Sequence, residues 1–462
     1  MTRRERLVLL ASTVGFSMVL LDTTVVNVAL GAIARDLHAG PTTLAWVANA
    51  YTLVFAGLLL STGLAADRLG ARAVFLTGLA TFAAGSVAAT LAPSSAALVA
   101  AQALLGVGAA LVLPTSLSLL SQVFADPVRR VRAVGIWAAG SAVSFAAGPV
   151  AGGLLVEQAG WRSIFVINLP LAVLAAALVV SQVRGGRPAA PAPAPLNLGA
   201  QALAVAMLVT LTFGLVESGG RGWGSAPVVV ALGTAAVLAA ALARRERTAE
   251  WRLVPHELVS DRRFTALTAG GALLNFAFYG ELFVLSLFLQ QERGLDALET
   301  GLAFLPQPLL FMAAAPVAGR LLAARGARVP LAAGGAIAVA GSLVLLGVDR
   351  DSSYVVLMAG LALNGFGGGL AIPAVTAGVM GSAPAALAGI ASATLNAGRQ
   401  IGGVLGVAVL GGIAAGGGGV EVAGMHQAVV IAALGLAVAS ALSLRVREPR
   451  PAVAGTAALA TD

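Results

Sequence analysis

The sequence predicts an all-α membrane protein of fourteen transmembrane helices, built as two six-helix bundles with two inserted helices between them. Three observations carry this. Hydrophobic residues fill 58% of the 462 positions and charged residues only 10%, more apolar surface than a soluble fold can hide. The charges fall between apolar runs of about twenty residues, each long enough to cross a hydrocarbon core of roughly 30 Å. The two ends of the chain also repeat one another. Backbone groups in lipid must pair within their own segment, so the runs are helices, and the short alternating segments of a membrane barrel are absent.

Taken in order, the first six predicted spans are Leu7 to Leu30, Leu44 to Ala66, Ala73 to Ala92, Ala96 to Leu120, Ala133 to Val156 and Ile164 to Val183. Arg3, Arg4 and Arg6 ahead of the first run resemble the start of a signal peptide, with Ala32-Ile33-Ala34 as a cleavage-like triplet. That run is about 24 residues, longer than a signal core, and reads as a retained helix. The Pro/Ala stretch from Arg187 to Pro195 is an extended linker. Leu198 to Val216 and Val228 to Ala243 form the inserted pair, followed by a charged loop from Arg244 to Arg263. Six more spans close the chain: Phe264 to Leu289, Leu298 to Ala323, Val329 to Val348, Tyr354 to Ala377, Leu387 to Ala415 and Met425 to Leu444. The expected organisation is a bundle at 1–186, a linker, inserted pair and loop at 187–263, a second bundle at 264–448 and a tail at 449–462.

Charge fixes the expected orientation. All 28 basic residues are Arg and the net charge is +8, a balance that would suggest nucleic acid in a soluble protein. Here only Arg35, Arg162, Arg221, Arg293 and Arg350 fall in one set of loops, Arg399 lies within a helix, and the rest lie on the other side. That is the positive-inside bias, so no nucleic-acid partner is expected and both termini are expected in the cytoplasm of a bacterial inner membrane. The chain has no cysteine, which excludes disulfides, thiolate catalysis and Cys-held metal. His38, His256 and His426 fall in predicted loops without clustering, so no metal site is expected. With no lysine there is no phosphate-binding loop of the usual kind, and neither ATP hydrolysis nor a cofactor is the expected energy source.

The repeat is explicit. GLAADRLGAR, Gly63 to Arg72, aligns with GRLLAARGAR, Gly319 to Arg328, at a shift of 256 residues. LLGVGAALVLP, Leu104 to Pro114, aligns with LNGFGGGLAIP, Leu363 to Pro373, at 259, and Gly148 and Gly152 meet Gly402 and Gly406 at 254. Two homologous bundles imply a site at the midplane between them.

Several motifs make the likeness specific: LDTTVVNVAL (Leu21 to Leu30), GLAADRLGAR, AAQALLGVGAALVLP (Ala100 to Pro114), GSAVSFAAGPVAGG (Gly140 to Gly153), GWRSIFVINLP (Gly160 to Pro170) and NAGRQIGGVLGVAVLG (Asn396 to Gly411). Over nearly the whole chain the sequence resembles the fourteen-helix drug:proton antiporter family of the major facilitator superfamily. The resemblance implies the major facilitator fold, alternating access, and export of lipophilic drugs or natural products in exchange for protons.

Asp22 lies about fifteen residues into the first helix, roughly 22 Å deep at 1.5 Å per residue. A carboxylate there costs at least about 2.5 kcal/mol, which makes it a proton-carrier candidate; the alternative is an Asp held permanently by Thr or Asn neighbours. Gln102 occupies the fourth-helix position where the family pattern carries Arg, at the depth of Asp22. It is expected to hydrogen-bond the acid without a compensating charge. Glu281 in the ninth helix, near Asn275 and Tyr279, is a second proton site or a cation anchor, or else an interfacial acid that snorkels. Arg399 in the thirteenth is the natural counter-charge for either acid, as a fixed ion pair or as a gate. Two acids against one Arg leave room for a lipophilic cation.

Gly140, Ser144, Gly148 and Gly152 recur every four residues on the fifth helix, with Pro149 bending it. Such a stripe lets another helix approach closely, and the resemblance makes it the antiporter motif. Gly63, Asp67, Arg68, Gly70 and Arg72 resemble the superfamily's conformational latch, with Ala71 where a basic residue is common. Cavity polarity is expected from Asn27, Asn49, Gln102, Asn275, Gln307, Asn364, Asn396 and Arg399, between walls such as Phe276, Phe278 and Phe366. The expected partners are a small lipophilic substrate, protons and the bilayer, with the chain acting as a monomer. A proton-coupled importer or facilitator of a small metabolite on the same fold is the first rival. A membrane-embedded enzyme or sensor is the second, and it lacks a catalytic constellation.

Overall fold

A computed structural model describes residues 1–124, 126–183, 197–249, 252–384, 387–416 and 419–444. Within them are fourteen helices long and apolar enough to cross a membrane. They are α1 Arg3–Leu37, α2 Pro41–Leu69, α3 Ala71–Thr90, α4 Ser95–Val123, α5 Pro127–Ala159, α6 Ser163–Gln182, α7 Leu198–Arg221, α8 Ala226–Thr248, α9 Arg262–Glu292, α10 Ala297–Arg325, α11 Arg328–Leu345, α12 Tyr354–Ser382, α13 Ala388–Ala414 and α14 Val422–Leu444. The predicted linker from Arg187 to Pro195 and the tail at 449–462 lie outside the described residues.

Several helices overrun their apolar runs by a turn or more at one end. α1 starts at Arg3, where Thr2 and Glu5 form a capping box, and α8 continues through Arg244, Arg245 and Arg247. Polar residues stay helical beyond the hydrocarbon because a cap satisfies the terminal N–H groups. The regular α-helical pattern is interrupted at Ile167 in α6 and at Leu305, ahead of Pro306, in α10, both with right-handed helical backbone, and α9 closes on a π-turn at Phe288–Glu292. His426, expected in a loop, is in the first turn of α14 with Nε2 2.8 Å from Val348 O.

Glycines set the packing, and they do so twice. A Cβ on Gly78 of α3 would meet Leu111 of α4, and one on Gly334 of α11 would meet Leu370 of α12. Likewise Gly108 abuts Phe82, while Gly367 abuts Ala338. Each pair in the first six helices maps onto its counterpart in the last six at the shifts of 256 and 259 read from the sequence. The turn glycines Gly70 and Gly326 correspond in the same way, with φ of 87° and 69°, backbone that favours glycine.

In the first six helices α5 packs along α1, and in the last six α13 packs along α9. α2 against α13 and α5 against α10 join the two sets. α7 lies over the α2–α13 seam, with Gly57 of α2 touching Val205 and Gly219 of α7 touching Gly412 of α13. α8 packs on α7 and presents Val229, Val230 and Val237 outward, an apolar face suited to lipid.

Candidate functional site

Between the two sets of six helices is a cavity of about 1360 Å³, larger than the few hundred to 1,000 Å³ of common ligand pockets. Its lining runs from Asn275, Phe278, Glu281 and Arg399 at mid-depth to Ser61, Arg252, His256 and Gly389, near the helix ends that share a face with the first residues of α1. We call that the terminal face.

The opposite face is closed. Ser286 Oγ of α9 donates to the Asn27 carbonyl of α1 at 2.6 Å. The Gly31 amide donates to Gln290 Oε1 at 2.9 Å, and Gln290 Nε2 donates to Ser286 Oγ at 2.8 Å. Residues 27 and 286, and 31 and 290, are both 259 apart, so α1 and α9 cross where the repeat brings corresponding positions together. A second closure joins α5 to α10: a Cβ on Gly153 would strike Ala297 and Leu298, and one on Gly301 would strike the Pro149 carbonyl.

The two candidate acids are placed differently. Glu281 is buried yet lines the cavity. Ser342 Oγ of α11 donates to its Oε1 at 2.6 Å, and Asn364 Nδ2 of α12 donates to its Oε2 at 2.9 Å. It is not the interfacial acid of the alternative reading. Asp22 is 1% exposed and does not line the cavity. At 100° per residue its neighbours Leu20 and Thr24 face the opposite way, and these do line it. Asp22 Oδ1 accepts from Asn168 Nδ2 of α6 at 2.9 Å, and the same Nδ2 lies 3.3 Å from Ser86 Oγ of α3. Asp22 Oδ2, Asn168 Oδ1 and Gln102 Oε1 are buried without a hydrogen-bond partner among the described residues.

Asn168 takes the place that the sequence assigned to Gln102 as the amide on Asp22. Its signal was visible: a lone Asn in an apolar run, inside the quoted GWRSIFVINLP motif. Ser342 was legible only through the repeat, since it corresponds to Ser86 at a shift of 256.

The structure brings Asn275, Phe278, Gln307, Asn364, Asn396 and Arg399 into the cavity lining as expected. It corrects the placement of Asn27, Asn49 and Gln102, which are buried elsewhere. The cavity-lining residues of α2 and α4 begin at Phe55 and Leu113, so these three polar side chains lie beyond its closed end. Phe276 packs instead where α9 meets Gly406 and Gly435, and Phe366 packs between α10 and α12. Arg399 is a correction of a different kind. Its Nε lies 3.4 Å from Asn275 Oδ1, and neither acid comes within 4.0 Å of it, because Asp22 faces away and Glu281 is held by α11 and α12.

The small-residue stripe of α5 is a helix contact. A Cβ on Gly140 would meet Thr13, on Gly148 Thr24, and on Gly152 Val25 and Val28, all of α1. Ser144 Oγ donates back to the Gly140 carbonyl at 3.3 Å. Pro149 has no N–H for the Phe145 carbonyl, and Thr24 Oγ1 lies 3.5 Å from that oxygen. Gly402 and Gly406 repeat the arrangement against Ala272 and Phe276 of α9. In the 63–72 motif, the side-chain surroundings of Gly63 and Asp67 lie outside the described residues; Arg68 is exposed, and Gly70 joins α2 to α3. Arg72 is half-buried, its Nε without a partner among the described residues.

Across the cavity the ring of Phe145 on α5 meets Phe278 on α9 at 5.7 Å, and Phe278 meets Tyr279 edge-on at 5.1 Å. The walls are apolar and aromatic, and the polar groups are few and convergent, the usual composition of a small-molecule site.

Comparison with known proteins agrees with this geometry. The profile described as Major Facilitator Superfamily matches residues 13–407. The methylenomycin A resistance protein of Streptomyces coelicolor is 36% identical over 406 residues, covering 87% of this chain and 84% of its own. The multidrug resistance protein Stp of Mycobacterium tuberculosis is 37% identical over 415 residues, covering 90% and 77%. The tetracenomycin C resistance and export protein of Streptomyces glaucescens is 35% identical, covering 87% and 74%. Among solved structures, a bacterial homologue of the human lysosomal transporter Spinster, described as inward-facing and unoccupied, superposes with a TM-score of 0.70 at 17% identity, over 96% of this chain and 97% of that one.

Proposed function

The chain belongs to the major facilitator superfamily, and from that premise we propose that it is a proton-coupled antiporter exporting lipophilic drugs or natural-product antibiotics by alternating access. Resistance and export relatives support the direction and the substrate class. The observation that carries the coupling is Asp22 Oδ2, a buried acceptor atom without a hydrogen-bond partner among the described residues. Buried polar atoms are normally paired, and a proton at Oδ2 turns an orphaned acceptor into a donor.

In this reading the two bundles, 1–186 and 264–448, rock about the α1–α9 crossing, and the inserted pair, α7 and α8, stays with the α2–α13 side. The terminal face is cytoplasmic and the membrane is the bacterial inner membrane, in keeping with the arginine bias. The cavity then faces the cytoplasm, where a substrate enters. Asp22 and Glu281 take protons from the outside and release them inside, while Gly63, Asp67, Arg68, Gly70 and Arg72 latch the cytoplasmic ends in the other state. Transport proceeds on the proton gradient alone, without a cofactor, in a monomer.

The test is drug-dependent proton movement in everted vesicles that carry the chain. Addition of a substrate drawn from a resistance panel should dissipate an imposed pH gradient. Substrate accumulation together with protons, in the opposite sense, would establish the importer instead.

A further inference from the structure

Among the described residues, the Asp, Glu and Arg side chains lining the cavity are Arg252, Glu281 and Arg399. Both oxygens of Glu281 are taken by Ser342 and Asn364. Arg399 is not satisfied in this way. Its one hydrogen bond among the described residues is the long contact from Nε to Asn275 Oδ1, and no carboxylate lies within 4.0 Å. A cation at membrane depth without a counter-charge is costly. Its terminal N–H groups form a planar fork whose natural complement is a carboxylate bound through two parallel hydrogen bonds.

The rest of the site fits the same ligand. Phe145, Phe278 and Leu274 supply apolar wall, and Arg252 near the cavity mouth adds a second positive charge. Asp22, the other acid expected to oppose an anion, faces away from the cavity. We infer that the cavity takes lipophilic acids, seating a carboxylate or equivalent planar oxyanion on Arg399 and the apolar body against Phe145 and Phe278. The export direction of such a ligand rests on the function proposed above; its binding does not.

Three probes sharing one apolar body separate the possibilities: pyrenebutyrate, pyrenebutanol and pyrenebutylamine. Binding to the purified full chain is read by energy transfer from tryptophan, since Trp137 lines the cavity. The wild-type chain should hold the acid about tenfold tighter than the alcohol, as charge-assisted hydrogen bonds imply, and the amine no tighter than the alcohol. Arg399→Gln should erase the difference while alcohol binding persists. Arg399→Lys, which keeps the charge without the fork, should lower the preference several-fold, and it decides the matter should the Gln variant fail to fold. Equal binding of acid and alcohol by the wild type, or a preference unmoved by substitution at Arg399, overturns the inference. Proton exchange measured on the same protein in vesicles keeps the two readings apart: an Arg399-dependent acid preference without proton coupling would remove the antiport reading alone.

Discussion

Asp22 and Glu281 are 259 positions apart and hold corresponding places on α1 and α9, yet only Glu281 reaches the cavity. Each is held by neutral donors of its own bundle: Asn168 beside Ser86 for one, Ser342 and Asn364 for the other. The serines correspond at a shift of 256. Among the described residues neither acid has a cationic partner, so each can gain or lose a proton without breaking an ion pair there.

Asp22→Asn should therefore abolish proton-driven export while the protein still inserts. The amide keeps the size of the acid and its bond with Asn168, but it cannot carry a proton. Transport under an imposed pH gradient, compared at equal membrane abundance, is the measurement. Near-normal transport would remove Asp22 from the coupling site.

Glu281→Gln should lower efflux of a cationic substrate and of a matched neutral one alike, because the carboxylate oxygens already accept from Ser342 and Asn364. A loss confined to the cation would make Glu281 a substrate anchor. The sequence expectation that two acids against one Arg leave room for a lipophilic cation counted Asp22, which does not line the cavity, together with Glu281, which does.

Gly148→Leu should impair transport far more than Gly233→Leu. A side chain at Gly148 collides with the Thr24 hydroxyl, whereas nothing lies within 4 Å of a Cβ at Gly233. Overpacking a helix contact typically costs about 1–3 kcal/mol. Drug tolerance of cells expressing each variant at matched abundance checks this, and equal impairment would deny the stripe a special part.

Gln290→Leu should open the closed face. It removes the bond that crosses from α9 to the Gly31 amide of α1, worth about 1 kcal/mol net, which moves a two-state population about fivefold. The natural absence of cysteine allows spin labels at Leu91→Cys and Asp351→Cys, exposed positions beyond α3 and α11. A longer distance should become populated in the variant. An unchanged distribution would mean that the Ser286–Asn27 bond and the α5–α10 contact suffice to hold this face.

The helices were legible because lipid imposes a length and forbids charge, and the repeat was legible because glycine contacts tolerate no side chain: Gly108 and Gly367, aligned at a shift of 259, both lie where a Cβ would strike a neighbouring helix. Direction within the membrane was not legible. Asn275 and Asn364 line the cavity while Asn27, Asn49 and Gln102 do not, and composition treats all five alike. What separates them is depth relative to the closed end. Asp22 needed helical phase as well, and its true partner Asn168 is far along the chain, on α6.

The seam between α2 and α13 is roofed by α7, and α7 in turn carries α8. The contacts that tie α5 to α10 are at the closed face, while Trp137, Ser141, Pro308 and Phe311 nearer the terminal face look into the cavity. To the surrounding lipid the molecule is thus lopsided: one flank of the seam between the bundles lies under two extra helices, and the other is left to α5 and α10 themselves.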